Sequence, residues 1–402
     1  MVPSAAASAA TRGARLCLVL CALSALLEGF DNQAMGVAAP GLALEFGLSA
    51  AQRGFLFSAT TFGLFVGAAL GGRAADIAGR RRTLAWSMLL FGGGSLLTTL
   101  AGGFDWLCVA RLATGLGLGG ALPNYIALSR EAAGPSHRLR SVTMVMAAMP
   151  LGGAISAVIA LGNPLFAGWR PIFYVGGTAP IVLAIVILRL LPEPGARRDL
   201  HQPVERVGAI LFGGGRCLTT LLLWCGFFFT QLVLLLMLNW LPSLIVGLGY
   251  SPAEAPWASV CFNLCGATGA VALSTLHAGD AKRAWVIVTY AGIAAALATL
   301  PHLAGAFALT IIACGAAGAF TVGAQLVLFA LAPEYYRQPI RGTGVGAAVA
   351  VGRLGSVVGP LYAGALLTAG GGSAAVLTGT LPFVTIAAAA ALALTWRPMS
   401  VD

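Results

Sequence analysis

Gly72-Arg73-Ala-Ala-Asp76-Ile-Ala-Gly79-Arg80-Arg81-Arg82 is the stretch on which the reading of this chain turns. It is the polar stop between two apolar runs, 54–72 and 83–101, each about the length of 20 residues that a helix needs to cross a bilayer. Gly72 and Gly79 permit a tight turn, and Asp76 can pair with Arg80 or cap a neighbouring helix end. Arg73, Arg80, Arg81 and Arg82 crowd one short loop, the mark of a cytoplasmic connection.

The rest of the chain agrees with a membrane hairpin. Of its 402 residues 58% are hydrophobic and only 9% charged, and the mean hydropathy is +0.90. A soluble domain carries about 25% charged residues, so these charges cannot cover a water-soluble globule of this size. A disulfide scaffold, a disordered chain and an ordinary cytosolic enzyme are excluded. The net charge of +10 is topology rather than a nucleic-acid footprint, because of where the arginines lie. Cysteines fall mostly inside apolar runs, and no His or acidic residue completes a metal set with Cys17/Cys21 or Cys261/Cys265. No metal and no cofactor are implied.

Twelve candidate spans follow: 15–38, 54–72, 83–101, 105–128, 141–161 and 171–191 in the first half, then 217–240, 254–274, 284–301, 304–330, 342–367 and 372–395. The first resembles a signal peptide but is too long and holds Glu28 and Asp31, so it is kept as a span. Arg111 and Arg353 lie inside spans. Of the other basic residues, nineteen fall in the even-numbered loops and termini and only Arg53 and Arg170 on the opposite side. Both termini, 1–14 and 396–402, are therefore expected in the cytoplasm of a multi-pass protein of the inner (cytoplasmic) membrane. A polar loop, 192–216, divides a bundle at 15–191 from one at 217–395. The halves echo one another: Gly72–Arg82 answers to Gly279-Asp280-Ala-Lys282-Arg283, and Glu131 with Arg140 to Glu334 with Arg341. Internal repeats of this kind build many secondary transporters, with the substrate site between the halves.

Gly72–Arg82 fits G-x-x-x-D-x-x-G-R-[RK]-R, which resembles the loop signature of the major facilitator superfamily; Arg111-Leu-Ala-Thr-Gly115-Leu-Gly117-Leu-Gly119 resembles its second signature. Within it the chain looks like the aromatic acid/proton symporter family. That resemblance rests on Glu28-Gly-Phe-Asp31, Thr114 through Asn124, Asn239-Trp-Leu-Pro242, Arg341-Gly-Thr-Gly-Val-Gly, and Gly352-Arg353-Leu-Gly into Gly359-Pro360. The loop Gly279–Arg283 departs from the pattern, having lost its Gly-Arg end. The resemblance implies an all-α membrane protein of twelve transmembrane helices in two pseudo-symmetric six-helix bundles. It further implies import of a small aromatic carboxylate, of hydroxybenzoate or hydroxyphenylpropionate type, driven by protons with alternating access, by a monomer, with Gly72, Asp76, Gly79, Arg80 and Arg81 in the gating loop.

Charges inside the spans give the candidate site. Each costs about 2.5–3.5 kcal/mol at mid-helix on insertion scales, so each should face the interior with a partner. Asp31 lies seven residues before Ala38 and Arg111 six after Asp105, at matching depth for an ion pair, with Glu28 one turn deeper. Burial favours a neutral carboxylic acid and a nearby arginine favours the carboxylate, so Glu28 and Asp31 are expected to share a proton while Arg111 holds Asp31. Arg353, near the midplane, is the candidate counter-ion of the substrate carboxylate. Phe30, Tyr125, Phe228 and Trp240 are candidates for the ring, and Asn124, Gln231, Asn239, Asn263 and Gln325 for ring hydroxyls. Glycines of span eleven permit close helix contact.

Other classes fit less well. There is no G-x-S-x-G and no H-E-x-x-H, and His137, His201, His277 and His302 form no motif, which counts against a membrane-embedded enzyme. Two similar halves in one chain, with proton-titratable groups off the two-fold axis, suit alternating access better than a symmetric channel. A proton-coupled exporter would carry Gly-Pro with flanking glycines in span five; Met149-Pro150-Leu-Gly-Gly153 matches only in part. A non-transporting sensor is the remaining alternative.

Overall fold

A computed structural model describes residues 5–133, 138–161, 168–191, 207–275, 282–337 and 340–397. All regular elements among them are helical: α1 (Ala5–Phe46), α2 (Ala50–Ala78), α3 (Arg80–Thr99), α4 (Phe104–Ala132), α5 (Arg138–Met146), α6 (Ala148–Ala160), α7 (Arg170–Leu190), α8 (Val207–Phe212), α9 (Cys217–Gly247), α10 (Ala255–Thr275), α11 (Lys282–Thr299), α12 (Phe307–Leu331), α13 (Arg341–Thr368), α14 (Ser373–Gly379) and α15 (Leu381–Leu394). They fill the twelve expected spans. Among the described residues nine helices are long and apolar enough to cross a membrane; the other spans are α3, the α5–α6 pair and α10. Residues 192–206 of the central loop, Gly279 and Asp280 of the second basic loop, and His137, His201 and His277 lie outside the described residues.

The helices run past the apolar runs. α2 continues through Gly72 to Ala78, so the turn of the signature loop is made by Gly79 alone, at φ 89°. Gly72 is helical. Span five breaks at Ala147, between α5 and α6, because Pro150 has no N–H to return to the carbonyl of Met146. Pro382 has the same effect on Thr378, and span twelve breaks at Thr380. α4 and α13 continue through Pro123 and Pro360.

Packing divides the chain into two compact units, Met1–Leu48 with Ala59–Asp199, and Ser49–Ser58 with Leu200–Asp402. Each is held together by backbones that touch where glycine allows it. In the first unit a Cβ on Gly29 would lie 1.9 Å from the carbonyl oxygen of Met149, and one on Gly152 1.8 Å from that of Leu26, locking α1 to α6. Gly117 does the same for α4 against α3 at Phe91. In the second unit Gly355 and Gly359 press α13 on α9 at Phe228 and Leu232, and Gly318 presses α12 on α10 at Phe262. The first and fifth spans of one unit are thus matched by the first and fifth of the other. With no hydrophobic gain between helices in lipid, such close approach supplies much of the association.

The repeat extends to the turns. α1 ends on Gly47 at φ 60° and α9 on Gly249 at φ 99°, each a left-handed C-terminal cap. Two residues later come Ser49 and Ser251. Ser49 Oγ accepts from the N–H of Gln52 at 3.2 Å while Gln52 Oε1 accepts from the N–H of Ser49 at 2.9 Å. Glu254 Oε2 accepts from the N–H of Ser251 at 2.8 Å. The first is a reciprocal capping box; in the second the Ser251 hydroxyl also donates to Glu254 Oε2, at 2.8 Å, so the carboxylate takes both bonds.

Gly355→Ala is expected to lower stability by about 1–3 kcal/mol through overpacking, whereas Gly346→Ala, where nothing lies within 4 Å, should change it little. Thermal unfolding of the purified variants in detergent checks this; equal melting temperatures would contradict the packing described.

Candidate functional site

Glu28-Gly-Phe-Asp31 is the centre of the first unit, and each of its residues meets a different neighbour. Gly29 admits α6. Phe30 is buried against α7, where a Cβ on Gly176 would lie 3.0 Å from its Cε1. Glu28 and Asp31, one helical turn apart, meet α4.

Asp31 forms an ion pair with Arg111, Nη2 to Oδ2, and both side chains are fully buried. Arg111 Nη1 also donates to Oδ1 at 3.3 Å, giving the two-pronged geometry that a guanidinium and a carboxylate share. Around the pair stand groups the sequence reading missed. Ser95 of α3 donates to Asp31 Oδ1 at 3.1 Å. Thr60 of α2 accepts from Arg111 Nε at 3.4 Å. Phe173 of α7 lies under the guanidinium, 5.3 Å from ring centre to Cζ, a cation–π contact. Five helices thus contribute to one buried charge pair. Only the shared depth of Ser95, Thr60 and Arg111 along their spans could have signalled the first two.

Glu28 is buried one turn away. Tyr125 donates its hydroxyl to Glu28 Oε2 at 2.8 Å, and Met149 Sδ lies 3.9 Å from the same hydroxyl. Tyr125, a candidate for the substrate ring, is wholly buried and occupied with this carboxyl group. Asn124 ties α4 to itself and to α2, its Nδ2 donating to Gly120 at 2.8 Å and Gly71 at 3.5 Å.

At the basic end of this unit Arg80 pairs with Glu131, not with Asp76, which is exposed. Arg81 Nη2 donates to the carbonyl of Leu188 at 2.6 Å. The second unit repeats the pair: Lys282 Nζ donates to both oxygens of Glu334, at 2.8 and 2.7 Å. The loss of the Gly-Arg end in Gly279–Arg283 has therefore left the ion pair in place. The buried charge cluster has no such counterpart. Carried across by the matching caps, Glu28 and Asp31 fall on Thr230 and Val233; carried across by the Glu131/Glu334 match, Arg111 falls on Cys314.

In the second unit Trp240 is fully buried: Phe57 meets its ring edge-on at 5.3 Å, Arg53 lies 5.0 Å over it, and its indole N–H donates to the carbonyl of Pro360 at 3.1 Å. Arg353 is half-buried on α13 and has no hydrogen-bond or ion-pair partner among the described residues.

Long apolar helices, a doubled six-span bundle and ionisable groups buried inside one half define a polytopic membrane transporter. Comparison with known proteins agrees. The model of the Major Facilitator Superfamily matches residues 21–360. The chain belongs to this superfamily. It is 41% identical to the 3-(3-hydroxy-phenyl)propionate transporter of Escherichia coli (strain K12), over 95% of this chain and 94% of that one. It is 31% identical to the 4-hydroxybenzoate transporter PcaK of Pseudomonas aeruginosa, over 93% and 91%. Among solved structures a D-xylose-proton symporter superposes with TM-score 0.74 at 19% identity, covering 94% of this chain and 96% of that one, a likeness of fold.

Asp31→Asn leaves a buried guanidinium without its counter-charge and is expected to cost about 3–5 kcal/mol, and Asp31→Asn with Arg111→Gln should recover a large part of it. Thermal unfolding of the single and double variants checks this. A double variant no more stable than the single one would contradict a mutually dependent pair.

Proposed function

We propose that the chain imports a small aromatic carboxylate, of the hydroxybenzoate or hydroxyphenylpropionate type, by proton symport through alternating access. What its relatives carry supports the substrate class, and the buried Glu28–Tyr125 contact beside the Asp31–Arg111 pair carries the proton-coupling half of the reading. Arg111 and Ser95 already engage both oxygens of Asp31. Glu28 has a phenol where Asp31 has a guanidinium. A phenol can donate to a carboxylate and accept from a carboxylic acid, so Tyr125 serves both protonation states of Glu28 without a new partner.

The roles then divide between the units. Glu28 takes up and releases the proton. Asp31 and Arg111 hold α1, α3 and α4 around it and fix the Glu28 side chain. Arg353, half-buried and unpartnered, binds the substrate carboxylate as a planar fork. The loop Gly72–Arg81 takes part in gating, its Arg80 made and broken with Glu131 as the cytoplasmic end changes. The protein works as a monomer in the cytoplasmic membrane, with both termini in the cytoplasm and with lipid, proton and substrate as its partners.

Uptake of labelled 3-(3-hydroxyphenyl)propionate into proteoliposomes tests the reading. An inward proton gradient should drive accumulation. Glu28→Gln should lose accumulation by at least about tenfold while counterflow exchange, which needs no net proton movement, persists. Arg353→Lys should weaken apparent substrate affinity while the gradient dependence remains. Efflux favoured by an inward proton gradient would instead establish the antiport alternative.

A further inference from the structure

Five amide side chains stand in the spans as candidates for a ring hydroxyl, and the structure separates them. Asn124, Asn239 and Asn263 each turn back on their own helix and donate at 2.8 Å to the carbonyl four residues before, on Gly120, Leu235 and Ser259. Gln231 and Gln325 do not. Both are buried, 6% and 9% exposed, and their amide oxygens have no hydrogen-bond partner among the described residues. A buried acceptor that makes no bond within the protein is kept at a cost to the fold.

The register of the helices places the two at one level. α9 and α12 run antiparallel. Near the start of α9 Thr220 meets Tyr336, which lies just beyond the end of α12, hydroxyl to hydroxyl at 2.9 Å. Tyr250, beyond the end of α9, meets Thr310 near the start of α12. Within the two helices Phe227 meets Phe329 with ring centres 5.3 Å apart. Four residues further in the same register stand Gln231 and Gln325, about 6 Å along the helix axes from the phenylalanine pair. α13 closes on the same level, because a Cβ on Gly352 would lie 3.2 Å from Gln231 Cγ and 3.3 Å from Phe227 Cβ. The next residue is Arg353. Two acceptor oxygens, aromatic rings and an unpartnered guanidinium thus occupy neighbouring levels of one unit.

We infer that Gln231 and Gln325 form a subsite that reads a hydroxyl group on the substrate ring. The inference rests on the proposed transport of an aromatic carboxylate. A phenolic O–H donates to one of the two amide oxygens while the carboxylate engages Arg353. An acid lacking the hydroxyl leaves both oxygens unpaired in the occupied site, and a site built around a polar partner discriminates strongly against the analogue without it. The phenol is read by acceptors, so O-methylation of the substrate should be as damaging as its removal.

The test is isothermal titration of the purified protein with 3-(3-hydroxyphenyl)propionate and with 3-phenylpropionate, which differ by that hydroxyl alone. Wild type should prefer the hydroxylated acid by at least about tenfold. Gln231→Met and Gln325→Met keep side-chain length and apolar packing while removing the acceptor. The variant that loses the accepting oxygen should weaken binding of the hydroxylated acid severalfold, and both should leave 3-phenylpropionate nearly unchanged, which also shows that the variants are folded. Equal affinity of wild type for the two acids, or an unchanged ratio in both variants, overturns the subsite and leaves aromatic acid transport standing. Binding of neither acid by wild type overturns the transport reading, and the subsite with it.

Discussion

A charge in hydrocarbon must have its opposite beside it, and in this chain that demand falls on Asp31 and Arg111. The carboxylate comes from α1 and the guanidinium from α4, and neither side chain reaches solvent. Ser95 of α3, Thr60 of α2 and Phe173 of α7 complete the surroundings. Holding one ion pair therefore fixes the depth and rotation of five helices at once. Breaking either partner would leave a buried charge uncompensated, which is costlier than never having the pair. Glu28, one turn along α1, inherits a fixed position from this arrangement.

Glycine makes the arrangement possible. Gly29 lies between Glu28 and Phe30 because α6 crosses there with backbone in contact, leaving no space for a side chain. The second unit uses the same device at Gly355 and Gly359, and the same caps at the ends of α1 and α9. What it does not repeat is the chemistry. Where the first unit has two carboxyl groups and an arginine, the second has Thr230, Val233 and Cys314, and its buried polar side chains among the described residues, Gln231 and Gln325 included, are uncharged. One duplicated architecture thus carries buried carboxyl groups with an arginine in one half, and amide side chains close to the half-buried Arg353 in the other. That asymmetry underlies the proposed division between coupling and substrate recognition.

Much of this was legible in the sequence. Apolar runs and arginine placement define the spans because bilayer thickness and charge segregation act on residue type alone. The depth of Asp31 and Arg111 could be counted from the span ends, as the rise per residue is constant. Rotation about the helix axis could not. Tyr125 reads as an aromatic wall, and its hydroxyl donates to Glu28; Asp76 reads as a partner of Arg80 or a helix cap, and Arg80 takes Glu131 from another helix. Gly72 reads as a turn but lies within a helix that continues past the apolar run to Ala78, leaving the turn to Gly79. Breaks at Ala147 and Thr380 follow from Pro150 and Pro382, whereas Pro123 and Pro360 leave their helices continuous, so proline alone does not locate a break. The distinction between asparagines bonded to their own helix and glutamines left with free oxygens depends on side-chain length, and shows only once the helices are packed.

The central claim is that Glu28, held by Tyr125, is the group that gains and loses the proton while Asp31 serves Arg111. Infrared difference spectroscopy of the protein in lipid, across a pH titration, reads this directly through the carbonyl stretch of a protonated carboxyl group. The account expects a titrating band in wild type that persists in Asp31→Asn with Arg111→Gln and disappears in Glu28→Gln. A band that survives Glu28→Gln and is lost with Asp31 would contradict it.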